Sequence, residues 1–356
     1  MGSTVADYDL DGRQDWFITS IYDSRKLEDV EVKDEPFFQK TGYIFGSTGN
    51  RLYKYEGERR FSDRTDEAGV REGGWGWGAA FFDFDNDGDL DIIHTNGWDD
   101  PETTDTDFFH NVPNVLFKNR LDEAGESRFT SVGSKTGVDD RRDGRGLFVF
   151  DYDKDGDQDV FIVNIWDKPI LYQNQNGNKR DWIRVKVLEC CVNRESLGAK
   201  VYLHSPKHNK EILREVRSAS SFSGHGENIV HFGLGSETEK EFDIRIYWPV
   251  TNNTRILKNV PRRSFLQVRD MKGVKNTLET TLHLTRWVGK CPQMVMGDIV
   301  TSPTKGRVVR HAKYLTYQVK SGSDGEDSFT YSVTNGESTG IGTVHIKVYI
   351  CMDLDS

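Results

Sequence analysis

One nine-residue pattern occurs three times in this chain: Asp7–Asp15 (DYDLDGRQD), Asp83–Asp91 (DFDNDGDLD) and Asp151–Asp159 (DYDKDGDQD). Each copy reads D-x-D-x-D-G-x-x-D, and the starts lie 76 and 68 residues apart. That period is far longer than a calcium-binding nonapeptide roll and close to a large β-propeller blade with loop insertions. A hard cation takes about six to eight oxygens at about 2.3–2.6 Å, and alternate side chains of a tight turn converge on one point. Positions one, three and five supply carboxylates: Asp7, Asp9 and Asp11; Asp83, Asp85 and Asp87; Asp151, Asp153 and Asp155. Glycine at position six permits the sharp turn. Position seven (Arg13, Asp89, Asp157) offers its carbonyl, and position nine (Asp15, Asp91, Asp159) closes the shell with a fourth carboxylate. Four carboxylates in one loop repel by several kcal/mol at an effective dielectric of about 20, a cost that a bound cation removes. The expectation is about three Ca2+ sites; magnesium tolerates crowded all-protein shells poorly.

An EF-hand would need glutamate at position twelve, where this chain has Ile18, His94 and Ile162. Short apolar runs flank the loops, Ala79–Phe82 with Ile92–Thr95 and Phe148–Phe150 with Val160–Val163. They read as buried strands, so the loops are expected between β-strands.

With 57 acidic against 47 basic side chains the formal charge is −10, which repels phosphate backbones, so nucleic acid is excluded as a main partner. No run approaches the roughly 18 apolar residues of a membrane span. The segment Met1–Asp15 has neither the apolar stretch of a leader nor, at Ala6, the Ser or Thr of an N-myristoylation signal. The first acidic loop starts at Asp7, so its leading strand is expected to be almost absent and the chain to be the C-terminal part of a longer protein. Open sheet edges and self-association through them would follow. The cysteines Cys190, Cys191, Cys291 and Cys351 show no C-x-x-C spacing. Cys291 and Cys351 bracket the tail and either cross-link it or remain free thiols.

The acidic loops, with Trp75–Phe82 (WGWGAAFF) before the second, resemble the FG-GAP or VCBS repeats of integrin-alpha-like β-propellers. Arg60–Val70, echoed by Arg128–Val138, is similar to the strand and turn that end each such repeat. The resemblance covers residues 1–178 and implies calcium that ties each blade's hairpin in place. At about 70 residues per blade this region holds two and a half blades, short of the four to eight of a closed propeller. From Asp181 apolar and charged residues alternate, in Trp182–Val187, Ala199–Leu203 and Ile244–Trp248. Gly198–Val201, Arg214–Phe222, His231–Gly235, Tyr247–Pro249 and Asn259–Pro261 follow in the order of the ASPIC/UnbV domain, which residues 180–270 resemble. The combination is that of the cartilage acidic protein family, and implies an extracellular adhesion or matrix-type protein. The tail, residues 277–351, alternates again in Leu315–Val319, Ser328–Val333 and Thr343–Tyr349; Asp324–Gly336 resembles the closing motif of Ig-like and cadherin-like modules. The expected fold is therefore all-β: a partial propeller, a β-rich ASPIC/UnbV domain and a small β-sandwich.

Two functional readings follow. In the first, the metals are structural and an extracellular protein or glycan meets exposed loops, among them the aromatic insert Gly97–Glu102 through Phe109. The alternative is a calcium-dependent polysaccharide lyase or phosphodiester hydrolase with His94 as base. No G-x-S-x-G elbow accompanies the polar run Arg214, Glu215, Arg217, Ser218, Ser220, Ser221 and His225, which reads as a strand with one face in water and a serine turn. No catalytic residue is assigned. Extracellular sites of this class bind calcium with dissociation constants of about 0.1–1 mM, a level that places the protein outside the cell or on its surface.

Overall fold

Each acidic loop is the turn of an antiparallel hairpin, and the pairing registers agree. The residue before the first aspartate pairs with the ninth position: Ala6 with Asp15, Phe82 with Asp91, Phe150 with Asp159. The computed structural model describes residues 1–23, 48–98, 109, 111–189, 194–206, 209–217, 221–270, 279–282, 295–310, 315–320, 325–334 and 339–348. The four cysteines, insert residues 99–108, Ser218, Ser220 and the 271–276 linker lie outside them. The chain is almost all β and divides into two units, Met1–Glu189 with Asn193–Arg269, and Cys190–Val192 with Asp270–Ser356.

The first unit opens with three meandering sheets. The first comprises β1 (Ser3–Ala6), β2 (Asp15–Ile18), β3 (Arg51–Gly57) and β4 (Arg60–Asp63) in that order. The second repeats it with β5 (Ala79–Phe82), β6 (Asp91–His94), β7 (Val115–Asn119) and β8 (Phe129–Ser131). The third has β9 (Gly144–Phe150), β10 (Asp159–Asn164) and β11 (Ile170–Tyr172). The leading strand expected to be almost absent is present: Ser3–Ala6 pairs along its whole length with β2. After β4 and β8 the chain makes one helical turn, Thr65–Ala68 and Gly133–Thr136, and then buries Val70 and Val138, as the echoed sequence suggested.

Period-two alternation sends successive side chains to opposite faces, and this builds two inter-blade cores. Phe17, Leu52, Ala68 and Val70 of the first blade meet Ala79, Ile92 and Phe117 of the second. The neighbouring residues Ala80, Ile93 and Leu116, with Phe82, turn the other way and meet Leu147, Val149, Val160 and Ile162 of the third. Burying each large aliphatic or aromatic side chain stabilises by about 1.5–3 kcal/mol. Strands β1, β5 and β9 run side by side, and no barrel closes.

The same unit contains the next seven strands: β12 (Trp182–Leu188), β13 (Lys200–Ser205), β14 (Lys210–Glu215), β15 (Ile229–Gly233), β16 (Glu241–Trp248), β17 (Asn253–Pro261) and β18 (Ser264–Arg269). They form two sheets, β15-β12-β18 and β14-β13-β16-β17, with β12 and β18 parallel. Their core includes a residue from elsewhere: Leu10, fourth in the first acidic loop, is 1% exposed in the cluster of Val185, Val201 and Phe232. The strand face expected in water, Glu215 and Arg217, is half-buried instead: Arg217 donates to the Val5 carbonyl and to Gln14 Oε1, and Arg214, on the other face, is 8% exposed. Ser221 Oγ accepts from the Ala79 amide at 3.0 Å. The apolar–charged alternation looked like a half-solvated strand because the partner surface, β1 and β5, lies more than 130 residues upstream.

The second unit has β19 (Glu279–Leu282), β20 (Val295–Thr301), β21 (Gly306–Arg310), β22 (Leu315–Val319), β23 (Gly325–Thr334) and β24 (Thr339–Val348). They form two three-stranded sheets, β19-β22-β21 and β20-β23-β24. Leu315, Tyr317 and Phe329 are its fully buried side chains among the described residues.

Candidate metal centre

The three loops share one backbone conformation. Position six is left-handed at Gly12, Gly88 and Gly156 (φ 84°, 99° and 95°), and so is position four at Leu10, Asn86 and Lys154 (φ 56°, 53° and 65°). A non-glycine residue there costs roughly 1–2 kcal/mol, less for asparagine. The glycine was expected from the sharpness of the turn; the second left-handed residue carries no compositional signal.

This turn brings together the first, third and ninth aspartates. Carboxylate oxygens of Asp7, Asp9 and Asp15 all lie within 4.8 Å of one another, as do those of Asp83, Asp85 and Asp91, and of Asp151, Asp153 and Asp159. The fifth-position carboxylates brace the turn and lie outside these triads. Asp11 Oδ1 accepts from the Arg13 amide at 3.0 Å, Asp87 Oδ1 from Asp89 at 3.2 Å, and Asp155 Oδ1 from Asp157 at 3.1 Å. At position seven the side chains of Asp89 and Asp157 accept from the amides of Asp122 (2.9 Å) and Asn178 (3.0 Å).

Neighbouring backbone fixes the triads. The first aspartate accepts from the glycine amide at 3.1 Å in Asp7, 2.9 Å in Asp83 and 3.1 Å in Asp151. The ninth accepts from a later strand or turn: Asp15 from Tyr55, Asp91 from Asn119 and Asp159 from Asn174, each at 2.8 Å. The third is met by the residue that follows a Leu-Tyr or Leu-Phe pair repeated once per blade, Leu52-Tyr53, Leu116-Phe117 and Leu171-Tyr172. Lys54 reaches Asp9, and Asp11 at 2.9 Å; Lys118 reaches Asp85, and Asp87 at 3.0 Å; Gln173 Nε2 donates to Asp153 at 2.7 Å. These partners were missed in sequence, although the repeated pair marks their positions.

Burial raises the proton affinity of several loop carboxylates, and neighbouring aspartates add to it. Asp7 is pushed up to about 6 and Asp15 to about 7, each chiefly by desolvation. Asp89 rises to about 8 by burial and then by Asp87; Asp157 rises to about 7 by burial. Asp83 and Asp91 are fully buried and raised well above the carboxylate range by burial and then by the aspartates beside them. Asp7 Oδ1, Asp15 Oδ2 and Asp85 Oδ1 are buried oxygens without a hydrogen-bond donor. Such oxygens are costly unless satisfied, and an oxygen-coordinated divalent cation suits the donor set.

The loops also seat the seven-stranded domain. His231 Nε2 donates to Asn86 Oδ1 at 2.6 Å, Arg214 Nη2 to the Gly88 carbonyl at 3.1 Å, and the Gly235 amide to the Asn86 carbonyl at 2.8 Å. Arg184 bridges Asp151 and Glu227. Gly156 lies against Trp182, where a Cβ would fall 1.8 Å from the indole. His94, the base candidate of the enzymatic reading, is fully buried. It accepts at Nε2 from Asn50 Nδ2 (3.3 Å) and donates from Nδ1 to the Thr95 carbonyl (3.2 Å), and burial lowers it to about 4. In the aromatic insert, Trp98 stacks on Trp75 at 4.8 Å and lies 5.8 Å from Trp77, whose ring carries the Arg145 guanidinium at 4.3 Å.

Residues 41–94 match the family model of the FG-GAP-like repeat, and residues 192–275 match that of ASPIC and UnbV. No curated protein matches the chain. The first match contains the second acidic loop; the first and third loops reproduce its geometry outside the matched span. No helix among the described residues is long and apolar enough to cross a membrane. The chain thus carries the domain architecture of an FG-GAP-like repeat protein with an ASPIC/UnbV domain, on an almost all-β frame.

Proposed function

We propose that this protein is a calcium-loaded interaction protein, exported or surface-displayed, whose metals are structural and whose partner is an extracellular protein or glycan. The observation that carries the reading is the threefold recurrence of one triad with the same backbone, the same amide donors and the same 4.8 Å spread. A solvated acidic turn has no reason to bury Asp7, Asp15, Asp83 and Asp91 almost completely. Three bound divalent ions would also offset more than half of the −10 formal charge. The low affinity typical of extracellular calcium modules suits that compartment, and FG-GAP repeats are typical of such proteins. No catalytic role is assigned: the base nearest the second loop is sealed in the core.

Elemental analysis of protein equilibrated in millimolar calcium tests the metal assignment. About three calcium ions per chain are expected, with a thermal midpoint that falls on chelation. Absence of stoichiometric metal together with an unchanged midpoint would overturn it.

A further inference from the structure

Adjacent acidic loops are joined to each other, and the joints run through residues that also hold the triads. In the second and third blades the backbone amide that meets the ninth aspartate belongs to an asparagine, Asn119 for Asp91 and Asn174 for Asp159. The side chain of each reaches back to the position-two carbonyl of the preceding loop. Asn119 Nδ2 donates to the Tyr8 carbonyl at 3.0 Å, and Asn174 Nδ2 to that of Phe84. Each also donates to the position-eight carbonyl of its own loop, Leu90 at 3.1 Å and Gln158 at 3.3 Å.

The second and third loops share further ties. Gln158 Oε1 of the third accepts from the amide of Asp83, the first aspartate of the second, at 3.1 Å. Asn86 Nδ2 of the second donates to the Gly156 carbonyl of the third at 3.2 Å. Position two lies between the first and third ligands, so the Phe84 peptide helps to set both Asp83 and Asp85, and its amide donates to Asp91 Oδ2 at 3.1 Å. A continuous run of hydrogen bonds thus leads from Asp159 through Asn174 and Phe84 to Asp91, from the triad of one loop to the triad of the next. The run from Asp91 through Asn119 stops at Tyr8, because Asp15 Oδ2, the equivalent oxygen of the first loop, is buried without a donor.

We propose that the second and third loops take up calcium as a cooperative pair, positioned for each other by Asn174, Gln158 and Asn86, while the first loop binds apart from them. The proposal rests on the calcium reading above. An ion at the third loop fixes Asp159 and with it the Asn174 amide, so the Phe84 peptide is already held when the second ion arrives. A first ligand that pre-organises the site of a second tightens it, and by linkage the effect is reciprocal. Charge acts in the opposite direction, since an ion at one loop removes negative charge that attracts the next. Cooperativity between these loops therefore has to come from the shared hydrogen bonds.

The test is calorimetric titration of calcium chloride into the full chain freed of metal, in two variants that each leave two loops intact. Asp9→Ala, which retains the second and third loops, is expected to bind two ions with a Hill coefficient of about 1.5, the value for two sites coupled about tenfold. Asp153→Ala, which retains the first and second, should bind two ions with a coefficient close to 1. Adding Asn174→Ala to Asp9→Ala should return the coefficient to about 1 with two ions still bound, an outcome that a general loss of stability does not produce. Circular dichroism checks each fold, and Gln158→Ala, which leaves Asn174 in place, is a second variant expected to lower the coefficient. A coefficient of 1 or less in Asp9→Ala, equal coefficients in the two variants, or cooperativity that survives both Asn174→Ala and Gln158→Ala would overturn the proposal. Three ions bound to the unaltered chain without cooperativity would overturn it alone; no stoichiometric calcium at all would overturn the calcium reading with it.

Discussion

The Arg184 guanidinium of β12 is bound to the carboxylate of Asp151, the first aspartate of the third acidic loop, and both side chains are buried. Its other nitrogen holds Glu227, so one cation from the seven-stranded domain bridges an acid of the blade and an acid of its own domain. Breaking a buried pair by removing one partner costs about 3–5 kcal/mol, because the other charge stays behind unpaired. Arg184→Met is therefore expected to destabilise the first unit by about that amount, measured by urea unfolding. A loss below about 1 kcal/mol would mean that water reaches the pair.

Loop and domain share a core through Leu10, so calcium loading and docking of the seven-stranded domain should be one event. Calorimetry with calcium is expected to show the blades and this domain melting in a single transition, and chelation should lower that transition as a whole. Two separate transitions, with only one sensitive to chelator, would show that the domains are energetically independent.

Lys54 and Lys118 place an ammonium against the third-position aspartates of the first and second triads; at that position the third triad has the neutral Gln173, and its cation is Arg184, on Asp151. Two unit charges about 4 Å apart interact by about 4 kcal/mol at an effective dielectric of 20, a divalent cation doubles that, and movement of the lysine relieves part of it. Lys118→Gln is expected to tighten calcium binding at the second loop about tenfold, by isothermal titration calorimetry, and to lower the stability of the chelated protein. Weaker binding would mean that the lysine helps to build the site.

The acidic loops give the chelated protein a pH dependence of defined sign. Asp7, Asp15 and Asp157 hold their protons to about 6 or 7 in the folded state, against about 3.9 in an unfolded chain. The folded form thus binds more protons over that interval, and stability falls as pH rises through it. Melting temperatures in chelator should drop from pH 5 to pH 8. With calcium, which displaces those protons, affinity should rise over the same range. A flat profile in chelator would show that the carboxylates ionise freely.

In the second unit, Asp327 accepts from Tyr317 Oη at 2.7 Å and from the amides of Thr304, Lys305 and Ser328 at 2.9–3.0 Å. Burial alone would raise its proton affinity; these donors outweigh it and hold the carboxyl at about 2. Its contribution is present above the unfolded value and lost as pH falls through about 2. Asp327→Asn should cost about 2 kcal/mol near neutrality, read by urea unfolding followed at the second unit. An unchanged midpoint would mean that the amide serves equally well.

Much of the first unit was legible because its signals are local. The hairpins around the loops follow from apolar runs flanking a nine-residue turn, and the closing turns at Val70 and Val138 follow from an echo in sequence. Illegible were contacts that join distant segments. Arg217 looked solvated because β1 lies some 200 residues upstream, and the tail showed three strands where six are found among the described residues, because the others lack clear alternation.

By itself the sequence determined where the carboxylate cages stand, since the spacing that converges alternate side chains on one point is written within nine residues. Only the tertiary structure decided which oxygens converge, which lysines and amides oppose them, and that the loops form the seat of a second domain. Burial creates those relationships: Leu10, Asn86 and Asp151 acquire their roles from surfaces that meet them only when the chain has folded.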